Sequence, residues 1–239
     1  MKQVAEGVLF IPGRDDLIPD SHTYIIGDPL SGDLSMIDPG LMGKGRYKLE
    51  SVKKLVDTSR IKRVIMTHTH LDHIGCLSEI LEQLPWAELW VHRIEGEALE
   101  QGDERTVYGM EMFKNMCQAQ YGIKSGAFRF NVDRKLEEGE RLKIGAMEWD
   151  VMHIPGHSSG SIALYKSDSG ILIPGDVVYA DYAIGRFDLY GADGDALKGS
   201  LKRLAGLDVK ILLPGHNEIA HDLPPGYISE TLRQWEPYL

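Results

Sequence analysis

The chain has 239 residues, of which 43% are hydrophobic, 26% charged and 8% aromatic, a composition typical of a globular protein with a large core. Its 36 acidic and 26 basic residues give a formal net charge of −10 without a dense run of lysine or arginine, so neither nucleic acid nor a membrane is an expected partner. The sequence contains no apolar run of membrane-spanning length.

Two features predict a cytoplasmic, reduced protein. An acid, Glu6, lies where a secretory signal peptide would need its apolar stretch. The two cysteines, Cys76 and Cys117, form neither a CxxC pair nor a disulfide framework.

The hydrophobic periodicity predicts a strand-rich first third that leads into alternating strands and helices. The expected elements, in chain order, are strands at Gly7–Ile11, Thr23–Ile26 and Leu34–Ile37, a helix around Tyr47–Val56, a strand at Arg63–Met66, a helix after His73, a strand at Leu89–Val91, a helical stretch over Glu95–Tyr121, strands at Arg141–Ile144, Glu148–Ile154, Ile162–Tyr165 and Ile171–Ile173, a helix near Ala196–Leu204, a strand at Val209–Leu213 and a helix near Tyr227–Gln234. Strand-rich blocks with helices at both ends predict sheets that helices cover. No linker-like segment divides the chain, so we expect one domain over residues 1–239.

One local pattern occurs three times: an apolar strand, then Pro-Gly, then a residue that can bind a metal. The residues that follow the three Pro-Gly pairs are His157, Asp176 and His216. Proline cannot donate to a sheet ladder and glycine permits the turn, so each copy should end a strand and place its polar residue just past the carboxyl end. Strand ends at one sheet edge can converge on a single ligand site.

The segment after the predicted strand at Arg63–Met66 contains three imidazoles and a carboxylate within six residues: His68, His70, Asp72 and His73. His68 and His70 alternate as on an extended chain and point the same way, while Asp72 and His73 address a second point nearby. Such a cluster is costly to desolvate without a metal. The spacing therefore favours two adjacent divalent ions.

The seven candidate ligands divide into two sets. A first ion would take His68, His70 and His157, a second would take Asp72, His73 and His216, and Asp176 would bridge them. Each ion keeps an open position for water, as catalytic sites do. Zinc is the commonest ion for nitrogen and oxygen ligands, and iron and manganese are also admissible.

These motifs, together with Asp38-Pro39-Gly40, resemble in order those of the metallo-β-lactamase superfamily over nearly the whole chain. The resemblance implies an α/β fold, an αββα sandwich of two mixed β-sheets flanked by helices. It also implies that Asp38 orients ligands such as those of the His68–His73 segment. At position 176 the chain has aspartate, where the commonest zinc β-lactamases have cysteine. In this respect it resembles the hydroxyacylglutathione hydrolase and lactonase branches, so β-lactam hydrolysis is not expected.

The sequence departs from the family pattern at two places. Only 23 residues follow His216, whereas hydroxyacylglutathione hydrolase has a helical extension that helps bind glutathione, so glutathione specificity is not expected. The usual second glycine after the first motif is replaced, because Cys76 follows Gly75.

Further residues are candidates for lining the site. His22 lies in the loop at 15–22, and Tyr179 and Tyr182 closely follow Asp176; by resemblance to lactonases, one of these phenols would polarise a substrate carbonyl. The alternative is a structural role for each. The stretch 95–121 carries Met110, Met112, Phe113 and Met116, whose spacing fits either a core-facing stripe or a helical lid over an apolar substrate.

The function expected is a dinuclear metal-dependent hydrolase that uses a metal-bridging hydroxide on a small carboxylic ester, thioester or lactone, with Asp72 holding its metal and the nucleophile in line. One alternative is a mononuclear iron oxidoreductase similar to persulfide dioxygenases, in which His73 and His216 would be surplus. A phosphodiester hydrolase or a regulatory protein that retains the site would also fit the motifs. The expected partner is a small molecule, and a homo-oligomer is left open.

Overall fold

The computed structural model describes residues 1–15, 17–28 and 32–239; Asp16, in the predicted substrate-flanking loop, lies outside these ranges. Within them, the strands are β1 (Lys2–Ala5), β2 (Val8–Ile11), β3 (Thr23–Ile26), β4 (Leu34–Ile37), β5 (Ile61–Ile65), β6 (Glu88–His92), β7 (Arg134–Leu136), β8 (Arg141–Ile144), β9 (Met147–His153), β10 (Ile162–Lys166), β11 (Ile171–Ile173) and β12 (Ile211–Leu212). The α-helices are α1 (Gly45–Lys53), α2 (Leu71–Ile74), α3 (Leu77–Gln83), α4 (Arg93–Gln101), α5 (Arg105–Tyr108), α6 (Glu111–Tyr121), α7 (Gly194–Leu204) and α8 (Tyr227–Trp235), with 3₁₀ turns at Thr58–Arg60 and Glu236–Tyr238.

These strands form two mixed sheets. One has the order β1-β2-β3-β4-β5-β6-β7, antiparallel as far as β4 and parallel from β4 to β7. The other has the order β12-β11-β10-β9-β8, in which only the β11–β12 pair is parallel.

The apolar residues alternate between two buried layers, which explains why many strands are hydrophobic throughout. On β3, Tyr24 and Ile26 face the core between the sheets, where they join Trp149 and Leu164. The intervening Ile25 packs with residues of α1, α3 and α4 on the outer face. Helices α7 and α8 cover the outer face of the other sheet. This arrangement confirms the predicted αββα sandwich.

The elements that the periodicity missed are short and polar. Neither β1 nor β7 has a strong hydrophobic signal, because their side chains are mostly exposed or half-buried. The predicted stretch 95–121 is broken into three helices, since Gly102 and Gly109 adopt positive φ angles of 74° and 71° at the ends of α4 and α5. Among the described residues, the structure has no helix that is both long and apolar enough to cross a membrane.

The strand directions bring the polar residues to one edge. Strands β4, β5 and β6 run parallel, and their carboxyl ends lead to Asp38, His68 and Glu95. In the other sheet, β9 and β11 are both antiparallel to β10, and β12 is parallel to β11. The three Pro-Gly turns therefore lie at a common edge, as the repeated pattern predicted.

Candidate metal centre

His68, His70 and His157 form the first of two adjacent clusters at this edge. His157 Nε2 lies 2.9 Å from His70 Nδ1 and 3.2 Å from His68 Nε2. All three side chains are at least 95% buried. Three ring nitrogens thus converge on one point that water reaches poorly.

The partners behind the rings determine which nitrogens carry lone pairs. His157 Nδ1 lies 2.8 Å from the Arg186 carbonyl, so it must donate there and leave Nε2 as the acceptor. His68 Nδ1 lies 3.1 Å from Thr67 Oγ1, whose proton is already donated to Asp38. His68 Nε2 is therefore also a lone pair that faces the centre, as metal-binding histidines require.

Asp72, His73, Asp176 and His216 form the second cluster. Asp72 Oδ2 accepts from His216 Nε2 at 2.9 Å. Asp176 Oδ1 lies 3.2 Å from His73 Nε2, and Asp176 Oδ2 lies 3.4 Å from His216 Nε2 and 3.8 Å from His157 Nε2. Asp176 thus contacts both clusters, which is the position that a bridging ligand would need.

Several buried side-chain atoms of the clusters have no hydrogen-bond partner in the described part of the chain: His70 Nε2, His73 Nε2 and Asp176 Oδ1. A buried polar atom without a partner destabilises a fold by on the order of 1 to 3 kcal/mol. Two clusters of lone-pair nitrogens and carboxylates, held by hydrogen bonds from behind, are instead the donor set that two divalent ions bind. The residues present therefore fit a dinuclear centre.

The electrostatics of the metal-free clusters agree with this interpretation. Burial, reinforced by the neighbouring rings, holds the pKa of His68 well below its usual value, and it lowers the pKa of His70 to about 3. Burial acts the same way on His73, but Asp176 and Asp38 outweigh it and raise that pKa. Burial would raise the pKa of Asp72, yet the hydrogen bond from His216 lowers it to about 2. The first cluster thus presents neutral rings, and the second presents anionic carboxylates.

Asp38 lies behind both clusters, where the resemblance placed it. Its Oδ1 accepts from Thr67 N at 2.7 Å, and its Oδ2 accepts from Thr67 Oγ1 at 2.6 Å and faces His73 Nδ1 at 2.9 Å. Through Thr67 it acts on His68, and directly it acts on His73. A role for Asp38 in orienting metal ligands thus stays a prediction, now with three contacts to support it.

Close packing at the Pro-Gly turns explains one of the glycines. A Cβ on Gly215 would lie 2.1 Å from Asp176 Oδ1 and 2.7 Å from a carbon of the His73 ring. Any side chain at this position would displace the carboxylate that lies between the clusters.

A cavity of about 620 Å³ opens onto the clusters. Its floor includes His70, Asp72, His157, Asp176 and His216. Much of the remaining lining is apolar and comes from the loop at 17–19, from α5, from α6 and the residue before it, and from Leu189: Leu17, Ile18, Pro19, Val107, Met110, Phe113, Met116 and Leu189. We call this set of residues the apolar wall.

Two of the three predicted substrate-lining residues line the cavity, and one does not. Tyr179 lines the cavity, and burial, together with the nearby Asp176 carboxylate, raises the pKa of its phenol well above the usual value. His22 also lines the cavity, but both ring nitrogens contact the backbone, at Gly13 N and Asn217 O. Tyr182 does not line it: its ring stacks on Tyr227 at 4.4 Å, which corrects the expectation for this residue.

The predicted lid is corrected in the same way at one position. Met112 is 77% exposed and does not line the cavity, whereas Phe113 and Met116 of the same helix do. Sequence reasoning missed Glu95, whose carboxylate contacts two ligand-bearing loops. Its position just after the carboxyl end of β6, beside the strand that leads to His68, was the signal available.

An αββα sandwich with paired histidine and carboxylate clusters at one sheet edge defines a class of metal-binding proteins. Residues 19–216 match the model of the metallo-beta-lactamase superfamily, and the chain belongs to that family. The resemblance inferred from the motifs is thus confirmed at the level of the superfamily.

The chain is similar in sequence to several members of this family and in structure to solved relatives. It is 31% identical over 191 residues to the probable metallo-hydrolase YqgX of Bacillus subtilis, covering 78% of this chain and 82% of that protein. It is 34% identical over 160 residues to the human acyl-coenzyme A thioesterase MBLAC2, covering 64% of this chain and 54% of that enzyme. A solved structure, TTHA1623 in a di-iron-bound form, is 27% identical with a TM-score of 0.68, covering 92% of this chain and 98% of that one.

Proposed function

We propose that this protein is a dinuclear metal-dependent hydrolase of carboxylic esters and thioesters, lactones included, whose acyl group lies against the apolar wall. One observation carries the proposal: seven candidate ligands form two adjoining clusters, and five of them line a cavity whose remaining lining is largely apolar. A polar reaction centre facing an apolar wall suits a substrate with a carbonyl at one end and a hydrocarbon at the other. A cytoplasmic location and a small-molecule partner belong to the same proposal.

The residues of the chain divide the work. His68, His70 and His157 would hold one ion, Asp72, His73 and His216 the other, with Asp176 between them. When bound, the two ions supply a water whose pKa is lowered to about 7 and a positive charge that stabilises the developing oxyanion.

Asp72 has a second role in this proposal. Its Oδ2 accepts the hydrogen bond from His216, while Oδ1 is not part of that contact, and the carboxylate lines the cavity. Oδ1 would accept a hydrogen bond from the attacking water and hold it in line with the carbonyl carbon. Tyr179, which lines the same cavity, would donate its phenolic proton in a hydrogen bond to the substrate carbonyl.

The apolar wall positions the acyl group. Burying a methylene against it stabilises the bound state by about 0.8 kcal/mol. The flexible side chains of Met110 and Met116 adapt to hydrocarbon chains of different shape, so the wall should accept a range of acyl groups.

The comparisons support parts of this proposal. The name of the human relative is that of an acyl-coenzyme A thioesterase, which supports thioesters among the substrates. The di-iron form of the solved relative keeps iron beside zinc and manganese as a candidate metal. The four residues of the second cluster support two ions over a mononuclear dioxygenase, in which His73 and His216 would have no ligand role.

Metal analysis coupled to a substrate panel tests the proposal. We expect two ions per chain, hydrolysis of esters and thioesters that a chelator abolishes and zinc or manganese restores, and no advantage for glutathione thioesters over others of equal acyl chain. Chelator-resistant turnover would contradict a metal-dependent hydrolase. Oxygen consumption with a persulfide would instead make the protein a dioxygenase, and a preference for phosphodiesters would make it a phosphodiester hydrolase.

A further inference from the structure

Glu95 is a buried carboxylate that the proposed chemistry does not use. It lies in the first turn of α4, directly after β6, and is 1% exposed. Its neighbours are the two loops that carry the three-histidine cluster, one after β5 and one after β9.

Each carboxylate oxygen binds one of these loops. Oε2 accepts from both the backbone N and the hydroxyl of Thr69, each at 2.7 Å, and Thr69 stands between His68 and His70 in the sequence. Oε1 accepts from Ser158 Oγ at 2.5 Å and from Gly160 N at 2.9 Å, and Ser158 directly follows His157. A single side chain thus connects the backbone that presents all three histidines.

The chemistry of these contacts requires an ionised carboxylate. All four donors are neutral N–H or O–H groups, and a carboxyl group accepts four hydrogen bonds only when it carries no proton. Its place in the first turn of α4 favours the negative charge, because the amino end of a helix carries a partial positive charge. The fit is close, since a Cβ on Gly160 would lie 2.7 Å from Glu95 Cγ.

From this geometry we infer that Glu95 is a positioning residue for the three-histidine cluster, an inference that depends on the proposed metal centre. It sets the distance between the loop of His68 and His70 and the loop of His157, so that their lone pairs meet at one point. Its charge also lies behind a cluster that would hold a cation. Removing the carboxylate should weaken metal binding at this cluster and leave the second cluster, held by Asp38, unchanged.

The test is a metal titration of the full chain as wild type and as Glu95→Gln. Glutamine has the same shape, but its amide group turns an NH₂ toward donors that need an acceptor. With zinc and a chromophoric chelator in competition, we expect one of the two affinities to fall by about 10- to 100-fold and the other to stay within experimental error. His157→Ala and His216→Ala assign each affinity to its cluster, and cobalt absorption spectra report the ligand geometry independently.

A matched control comes from Glu79, a carboxylate that accepts the backbone N–H groups of Gly43 and Gly45 in a loop without proposed ligands. Glu79→Gln should change neither affinity. Thr69→Val removes one hydroxyl donor and keeps the Glu95 carboxylate, so it should weaken the same cluster by less than about tenfold. If Glu95→Gln does not fold, Thr69→Val decides the question.

Equal zinc affinities in wild type, Glu95→Gln and Thr69→Val would overturn the inference, as would a loss confined to the second cluster. The proposed function fails separately. If the wild type binds one ion only, the dinuclear centre is wrong, and the effect of Glu95→Gln on that single affinity still decides the role of Glu95. A wild type that binds no ion overturns both.

Discussion

The floor and the wall of the cavity are held in place by different interactions: hydrogen bonds on the floor and apolar packing on the wall. At and behind the floor, His68, His73 and His157 each have a hydrogen-bond partner on the ring nitrogen that faces away from the clusters, and these three side chains are nearly inaccessible. On the wall, the side chains are those of methionine, leucine, isoleucine, valine, proline and phenylalanine, held by packing, and Leu17 is 66% exposed.

Metal binding and substrate preference therefore depend on different parts of the cavity. Hydrogen bonds have narrow geometry, so the floor specifies one arrangement of ligands. Apolar packing is non-directional, so the wall can change shape without disturbing the ligands. Substitutions on the floor should therefore alter metal content, whereas substitutions on the wall should alter substrate preference alone.

The largest effect on the floor is expected from Asp176→Ala. Since Asp176 contacts both clusters, its loss should remove both ions and lower activity by more than about 100-fold, the upper range for outer residues of metal sites. Elemental analysis of the purified variant checks this. Less metal loss than in His157→Ala would show that Asp176 does not bridge.

Asp38→Asn should have the next largest effect, again on metal binding. The amide cannot accept all three hydrogen bonds that Asp38 now receives from Thr67 and His73, so both histidine clusters should lose affinity for zinc by about 10- to 100-fold. Competition titrations should show both affinities reduced, in contrast to the single one expected for Glu95→Gln. Unchanged affinities would remove Asp38 from the metal centre.

A third prediction probes the wall. Across thioesters of increasing acyl length, kcat/KM should rise by up to about fourfold per methylene, the equivalent of about 0.8 kcal/mol. Phe113→Ala should flatten this rise with the metal content intact, because Phe113 lines the cavity. Met112→Ala is the matched control, since Met112 belongs to the same helix, is 77% exposed and does not line the cavity. Equal slopes for both variants would show that the wall does not bind the acyl chain.

The smallest predicted effect lies away from the cavity and concerns stability. Burial, followed by the positive charge that His153 can carry, lowers the pKa of His92 to about 4, and the two rings stack at 4.0 Å. Because the unfolded chain binds this proton near pH 6.5, the free energy of unfolding should decrease as the pH falls from about 6.5 toward 4.

His92→Phe should remove about 1 kcal/mol of this decrease between about pH 7 and pH 5, measured by urea unfolding. His221→Gln, on an exposed segment, serves as the control. If the two variants have the same pH dependence as the wild type, then protonation of His92 does not affect folding.

The sequence predicted the floor better than the wall for a physical reason. The ligands are close together in the sequence or follow a repeated Pro-Gly turn, and strand direction then brings them to one edge. The wall depends on how a helix is rotated, and the spacing of Met112, Phe113 and Met116 alone does not reveal which of them faces inward. The prediction for Tyr182 was wrong for a similar reason, because its ring stacks on Tyr227, a residue distant in sequence.

Strand and helix boundaries show the same limit. Strands buried on both faces, such as Thr23–Ile26 and Leu34–Ile37, were predicted with their observed bounds. Edge strand β1 and the short β7 were missed, since half-exposed polar strands have no strong hydrophobic pattern. The carboxylate of Glu95 was missed because its partners come from other elements, although its place after a parallel strand was visible.

The break at Gly102 has a consequence for how this protein could diversify. The segment 102–133 leaves the sandwich after α4 and returns at β7, and it contains α5 and α6 with half of the apolar wall but none of the seven ligands or Glu95. It therefore carries part of the proposed substrate-binding surface, while its buried Val107, Tyr108 and Cys117 pack into the core of the sandwich. Exchanging it between homologues should transplant substrate range in one step, and drift within it can create new specificities while the reaction centre is inherited intact.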